Sequence, residues 1–206
     1  MTRAKQLKEN TEAYFDWVAK TGEIISEPVL CYAEVIKRLE NAEGDKLVDI
    51  GCGTGRMLHE IVTHYPGRFQ LSGIDISQES IKQARTLLRD NADITTGDVE
   101  DLPYPDNTFD YMLCMHSFHH YPNQINSLAE MNRVLKTGGK LFLVENNYPF
   151  VKRVKMNYGM MRSGHQIGDV KMYSAGELHR ILRKAGFRII TSESIAEHSL
   201  IIECEK

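Results

Sequence analysis

Leu47-Val48-Asp49-Ile50-Gly51-Cys52-Gly53-Thr54-Gly55 is an apolar run holding one acid and closed by three alternate glycines. Met57, Leu58, Ile61 and Val62 then recur at helical spacing. The pattern predicts a strand, a tight glycine turn and a helix, the arrangement by which α/β folds hold nucleotide-like ligands. Glycine suits such a turn because it accepts unusual dihedrals and lets a ligand reach bare backbone. The helix that follows starts with N–H groups that have no partner within the helix.

The details set this loop apart from similar ones. A phosphate-cradling NTPase loop ends in Gly-Lys-Ser/Thr, which is missing here. The dinucleotide fingerprint is Gly-x-Gly-x-x-Gly. Here the third glycine, Gly55, comes one position early, and Arg56 stands where that fingerprint wants glycine. Asp49 would repel a pyrophosphate but suits a ligand carrying an ammonium group. Acidic-x-Gly-x-Gly-x-Gly resembles the first motif of the class I S-adenosylmethionine-dependent methyltransferases.

Outward from the loop, strands are predicted near 46–50, 69–75, 92–96, 109–115 and 140–145, and helices near 54–65, 78–90 and 122–136. Strands separated by helices imply a parallel sheet covered on both faces. Two helices are predicted before the loop, at about 2–20 and 27–41, with Pro28 in the first turn of the second. Ser174 and Glu177 read as a capping box, and Leu178, Ile181, Leu182 and Ala185 as the apolar stripe of a helix that Gly186 stops. Phe187–Ile195 and His198–Glu203 are close enough to pair as a hairpin, so the last strand should run antiparallel. The resemblance implies a Rossmann-like three-layer α/β sandwich with a seven-stranded, mostly parallel sheet and extra N-terminal helices. We expect one domain over 1–206: a helical cap to 44, a cofactor-binding core over 45–146, a candidate lid over 147–172, and a C-terminal helix with hairpin.

The totals agree with a globular protein that has a real core. The chain has 206 residues, 42% of them hydrophobic, and a net charge of −3 that gives no basic field for nucleic acid. Four cysteines, Cys31, Cys52, Cys114 and Cys204, form no C-x-x-C pair and fit a reducing cytoplasm. Met1–Asn10 is too polar to begin a secretory signal, and no apolar run is long enough to span a membrane. The expected location is therefore cytoplasmic, with no membrane partner.

The resemblance assigns a station to each part of S-adenosyl-L-methionine. Asp49 and the turn Gly51-Cys52-Gly53 would meet its amino acid end. Asp75, closing Gly73-Ile74-Asp75, would hold the ribose hydroxyls; as an alternative it caps the next helix. Asp98 and Val99, in Gly97-Asp98-Val99-Glu100-Asp101-Leu102-Pro103, would meet adenine, with Ile76 against the same ring. Met115 and His116 would border the methionine part. Glu130 to Leu141, with its Gly138-Gly139 turn, resembles the family's helix-to-fifth-strand junction. These signatures occur in order over about 45–145.

Methyl transfer is a displacement at carbon that depends first on alignment. A base helps when the acceptor must lose a proton, and histidine is the side chain suited to that near neutral pH. His116, His119 and His120 are candidates, with His119 and His120 taken as catalytic; the competing reading is that they only orient loops. No third ligand stands out near them, so no metal is expected. The Asp/Asn-Pro-Pro-aromatic motif of base-amine methyltransferases and the Pro-Cys of cytosine-C5 enzymes are absent. A small molecule remains as the acceptor, with its reacting atom (O, N, S or C) left open. Lys152, Arg153, Lys155 and Arg162 in the lid would draw an anionic acceptor, while Tyr148, Tyr158, Met160 and Met161 would line an apolar pocket. Tyr14-Phe15-Asp16-Trp17 would either fold over the cofactor or pack in the core. Two other functions stay open: a nicotinamide-dependent oxidoreductase, and a non-catalytic S-adenosylmethionine-binding protein.

Overall fold

The computed structural model describes residues 2–22, 29–163, 168–196 and 198–206. Pro28 lies outside them. Five strands, β1 (Lys46–Ile50), β2 (Gln70–Asp75), β3 (Ala92–Thr96), β4 (Phe109–Met115) and β5 (Leu135–Asn146), alternate with helices. The helices are α3 (Arg56–His64), α4 (Gln78–Leu88) and α5 (Gln124–Val134). Before them come α1 (Arg3–Thr21) and α2 (Val29–Leu39); after them come α6 (Phe150–Ser163), α7 (Ala175–Lys184), β6 (Arg188–Ala196) and β7 (Ser199–Glu205). The sheet order is β3-β2-β1-β4-β5-β7-β6, with β7 antiparallel to both neighbours.

The apolar strands do not alternate with polar residues because both faces of the sheet are buried. In β4, Met112 and Cys114 join one core while Tyr111 and Leu113 join the other. The first core takes Leu128 and Met131 of α5 and Leu178 and Leu182 of α7. The second takes Val35 and Leu39 of α2, Leu58 and Ile61 of α3, and Ile81 and Leu88 of α4. Each fully buried Leu or Ile contributes roughly 1.5–3 kcal/mol of transfer free energy.

The capping box forms as the sequence predicts. Ser174 Oγ accepts from Glu177 N, and Glu177 Oε2 in turn accepts from Ser174 N at 2.9 Å. Ser174→Ala is expected to lower unfolding free energy by about 1 kcal/mol, read as an earlier urea midpoint at constant slope.

Some boundaries differ. The predicted helix 122–136 ends at Val134, because Leu135 turns extended and pairs with Phe109; β5 therefore begins five residues before 140. Over 147–172, where the sequence rhythm breaks, the chain forms the fourteen-residue helix α6. Five of its apolar residues, Phe150, Val151, Val154, Tyr158 and Met161, are exposed, so the pattern that betrays a core-packed helix is missing.

Candidate functional site

The chain runs from β1 outward through β2 to β3, then returns to β4 on the other side of β1. Such a switch point leaves a crevice at the carboxyl ends of the strands. A cavity of about 730 Å³ lies there, walled by the turn after β1, the ends of β2 and β4, and α1. Side chains hold the switch point together: Ser117 Oγ donates to the Ile50 carbonyl at 3.0 Å and meets Tyr121 Oη at 2.9 Å.

Within the glycine turn two positions do different work. Gly55 has φ +81°, and a Cβ there would lie 2.8 Å from Leu88 Cδ1, so this glycine lets α4 pack against the turn. Gly53 has φ +52° and open space where a Cβ would be, which leaves its backbone bare toward the cavity. Its N–H donates to Asp75 Oδ2 at 2.9 Å.

Asp49 is 1% exposed and its Oδ1 has no hydrogen-bond partner. Burial, then the charge of Asp75, pushes its carboxyl up to about 7. Asp75 is also raised by burial, although N–H donors from Ser77 and Gly53 pull the other way. Two acids thus share one wall, and the deeper one lacks a partner. A cation is what this wall is missing.

The alternative role for Asp75, capping α4, belongs to Ser77, whose Oγ accepts from Ser80 N. Asp75 Oδ1 accepts from Ser77 N at 2.8 Å. Ile76, Val99, Cys52, Met115 and His116 all line the cavity, as does Asp98. The Asp98 carboxylate is already engaged, by Lys8 Nζ at 2.5 Å and Glu100 N at 2.9 Å. Lys8 belongs to α1, which roofs the cavity. Tyr14 and Phe15 line it, Asp16 accepts from Ser77 Oγ at 2.7 Å, and Trp17 points to solvent. The Lys8 contact is unforeseen in the sequence, because 90 residues separate the partners.

The histidines converge as β4 ends. His116 takes a left-handed φ of +50°, and burial lowers its ring pKa, with the His119 charge adding to that effect. His119 Nδ1 lies 2.9 Å from Glu145 Oε2, and both residues are buried. Burial alone would lower His119; the charges of Glu145 and Asp169 outweigh it, so the ring is raised above its ordinary value. His120 goes the other way: burial and the neighbouring His119 charge hold it well below, hence neutral. Its Nδ1 has no hydrogen bond, although Asp169 Oδ1 is only 3.2 Å away. Phe15 meets the His120 ring edge-on at 4.9 Å between centroids.

Glu145 and Asp169 were not singled out from sequence. Glu145 had a signal, a lone acid ending the apolar run Leu141-Phe142-Leu143-Val144. Asp169 had none. His119, His120 and Asp169 bring ligand-type atoms within 4.8 Å of one another, so the carboxylate missing near the histidines in sequence is supplied by the fold. The proton that Glu145 and Asp169 favour on His119 competes with any cation there.

The lid expectations need correction. Tyr148 lines the cavity, but Tyr158 and Met161 are solvent-exposed, and Met160 is buried away from the cavity. Lys152, Arg153, Lys155 and Arg162 do not line it either; Lys8 and Arg56 are the lysine and arginine that do, among the described residues. The reason is rotational: α6 turns Met156, not its basic residues, toward the cavity. No described helix is long and apolar enough to cross a membrane.

Residues 48–143 match the family model described as a methyltransferase domain. An O-methyltransferase of Penicillium expansum is 28% identical over 187 residues, 87% of this chain and 64% of the relative. A demethylmenaquinone methyltransferase of Staphylococcus carnosus is 29% identical over 166 residues, 77% of this chain and 69% of the relative. This chain thus spans about two thirds of the length of these relatives. Among solved structures, a chain in the complex of the Haloferax volcanii Trm112 methyltransferase activator with a methyltransferase superposes with a TM-score of 0.80 at 24% identity. The superposition covers 93% of this chain and 96% of that one. Matching a methyltransferase domain along the strands that build the cavity, and sharing the fold throughout, this chain is similar to the class I S-adenosylmethionine-dependent methyltransferases.

Proposed function

We propose that this chain transfers a methyl group from S-adenosylmethionine to a proton-bearing centre of a small molecule. The observation that carries the reading is Asp49: a buried, partnerless carboxyl oxygen beside a turn of bare backbone. An amino acid ammonium satisfies it, and a diphosphate does not. When bound, the cofactor supplies a methyl group made electrophilic by its sulfonium.

Asp49 takes the ammonium, and the turn Gly51-Cys52-Gly53 offers backbone to the same end. Asp75 accepts from the ribose hydroxyls; each carboxylate oxygen has capacity beyond the one backbone bond it now accepts. Val99 and Ile76 flank adenine, and Asp98 reaches its amino group after sharing or giving up the Lys8 contact. Met115 and His116 border the sulfur. α1 excludes water above the site.

At the acceptor end, Glu145 orients His119 and favours its charged form, so His119 is the group that takes a proton from the acceptor as the methyl arrives. His120 stays neutral and shapes the wall. This scheme uses protons and no metal, so turnover should survive a chelator.

Calorimetry and turnover test the reading together. S-adenosylmethionine or its demethylated product should give saturable heat, and Asp75→Ala should weaken binding by about 1–3 kcal/mol through lost charged hydrogen bonds. An unchanged dissociation constant removes Asp75 from the site. Tighter binding of NADH than of S-adenosylmethionine favours the oxidoreductase, and binding without turnover over a broad acceptor panel favours a non-catalytic binder.

A further inference from the structure

Helix α6 is amphipathic in the wrong direction for packing. Nine large apolar side chains are exposed among the described residues, and five of them, Phe150, Val151, Val154, Tyr158 and Met161, lie on α6. They are 49–70% exposed. At helical spacing they fall in one stripe about 100° wide. The flank beyond Phe150 is fixed to the domain. Met160 is buried, Asn157 Oδ1 accepts from Met172 N at 2.8 Å, and Asn157 Nδ2 donates to the Met172 carbonyl at 3.0 Å. The stripe is therefore held outward.

The charges on the helix point to the occupant. Of its fourteen residues four are Lys or Arg and none is acidic, in a chain whose net charge is −3. Lys152, Lys155 and Arg162 border the stripe on one flank and are exposed. Two of them lie against rings: Lys152 Nζ is 4.2 Å from the Tyr148 ring centroid, and the Arg162 guanidinium 5.8 Å from that of Tyr158. No described carboxylate forms a salt bridge with any of the four cations on the helix. An apolar face rimmed by long cationic side chains, on a helix too short to span, is the chemistry that lies flat on an anionic bilayer: the rings and aliphatic chains enter the acyl boundary while the cations reach the headgroups.

We propose that α6 docks this protein on anionic lipid surfaces. The geometry adds an orientation, and this part alone rests on the methyl-transfer reading. Met156 and Tyr148, on the inner side of the same segment, line the cavity, so docking holds the cavity directly behind the docked helix and suits an acceptor with an apolar part. Docking revises the expectation of no membrane partner, which considered only spanning segments.

Vesicle co-sedimentation of the full chain tests docking without using turnover. Vesicles of phosphatidylglycerol and phosphatidylcholine should take up the protein at least about tenfold better than pure phosphatidylcholine, and less so as salt rises. The double variant V154D/M161D and the triple variant K152E/K155E/R162E should each lose that binding. All five side chains are exposed, so both variants should keep the wild-type circular dichroism and heat of S-adenosylmethionine binding. No sedimentation at low salt, equal uptake by neutral vesicles, or unchanged binding by the charge variant overturns the proposal. A concentration-dependent dimer that V154D/M161D dissolves, with no vesicle binding, assigns the stripe to a second copy instead. Loss of cofactor heat in the wild-type protein would sink the methyl-transfer reading and leave the docking result standing.

Discussion

His119→Ala is expected to slow turnover by about 10²–10⁴-fold, the range for removing a positioned proton acceptor, while cofactor affinity barely changes. The split follows from placement. His119 lies where β4 ends and contacts Glu145 and Asp169, whereas the groups assigned to the cofactor lie on the turn after β1 and at the end of β2. His119→Ala also leaves Glu145 buried without its partner, so the variant should be less stable. Glu145→Gln separates chemistry from folding, because it keeps the hydrogen bond and removes the charge. Glu145 raises His119, and the ring accepts a proton only when deprotonated. Without that charge His119 titrates lower, so the acid limb of the pH–rate profile should move to lower pH with a reduced plateau. An unmoved limb would show that His119 does not govern the proton transfer, and full activity in His119→Ala would reduce the histidine cluster to a structural role.

Asp49→Asn should weaken S-adenosylmethionine binding by about 2–3 kcal/mol, roughly 30–150-fold, through loss of a charge-assisted contact in a buried site. The same change should stabilise the cofactor-free protein, because it removes a buried carboxyl that the fold supports poorly. Opposite signs in binding and stability separate this from general damage. The pH dependence follows. The folded value of about 7 lies above the ordinary 3.8, so Asp49 takes up a proton on folding. The stability it contributes is fully present below about pH 4 and is lost as pH rises through about 7. Cofactor affinity should run the other way, rising through the same window as the carboxylate forms, and the Asp49→Asn substitution should flatten that rise. Calorimetry across pH, with thermal melts of the cofactor-free protein, checks both. Equal affinity in wild type and variant would remove Asp49 as the ammonium partner.

The half of the cavity proposed for the cofactor was legible in sequence as a cluster, because its residues lie at strand ends in fixed order. Asp49 and the turn through Gly53 follow β1, and Asp75 ends β2. The apolar runs and glycines that mark those ends are local signals, set by backbone dihedrals and by burial on both sheet faces. The half proposed for the acceptor was only partly legible. His119 and His120 stood out as residue types, but their states did not, because burial and neighbours divide them into one raised and one lowered ring. Helix α6 was not predicted within the candidate lid, since its apolar stripe faces solvent and hydrophobic periodicity is read as core.

By itself the sequence determined the strand-turn-helix order, the parallel sheet and the acid at its rim, since each depends on residues within a few positions of one another. Only the tertiary structure decided that Glu145 meets His119 across 26 residues, that Lys8 reaches Asp98 across 90, and that the cations of α6 turn away from the cavity. Those contacts depend on how separate elements pack, and the local spacing of residue types carries no record of it.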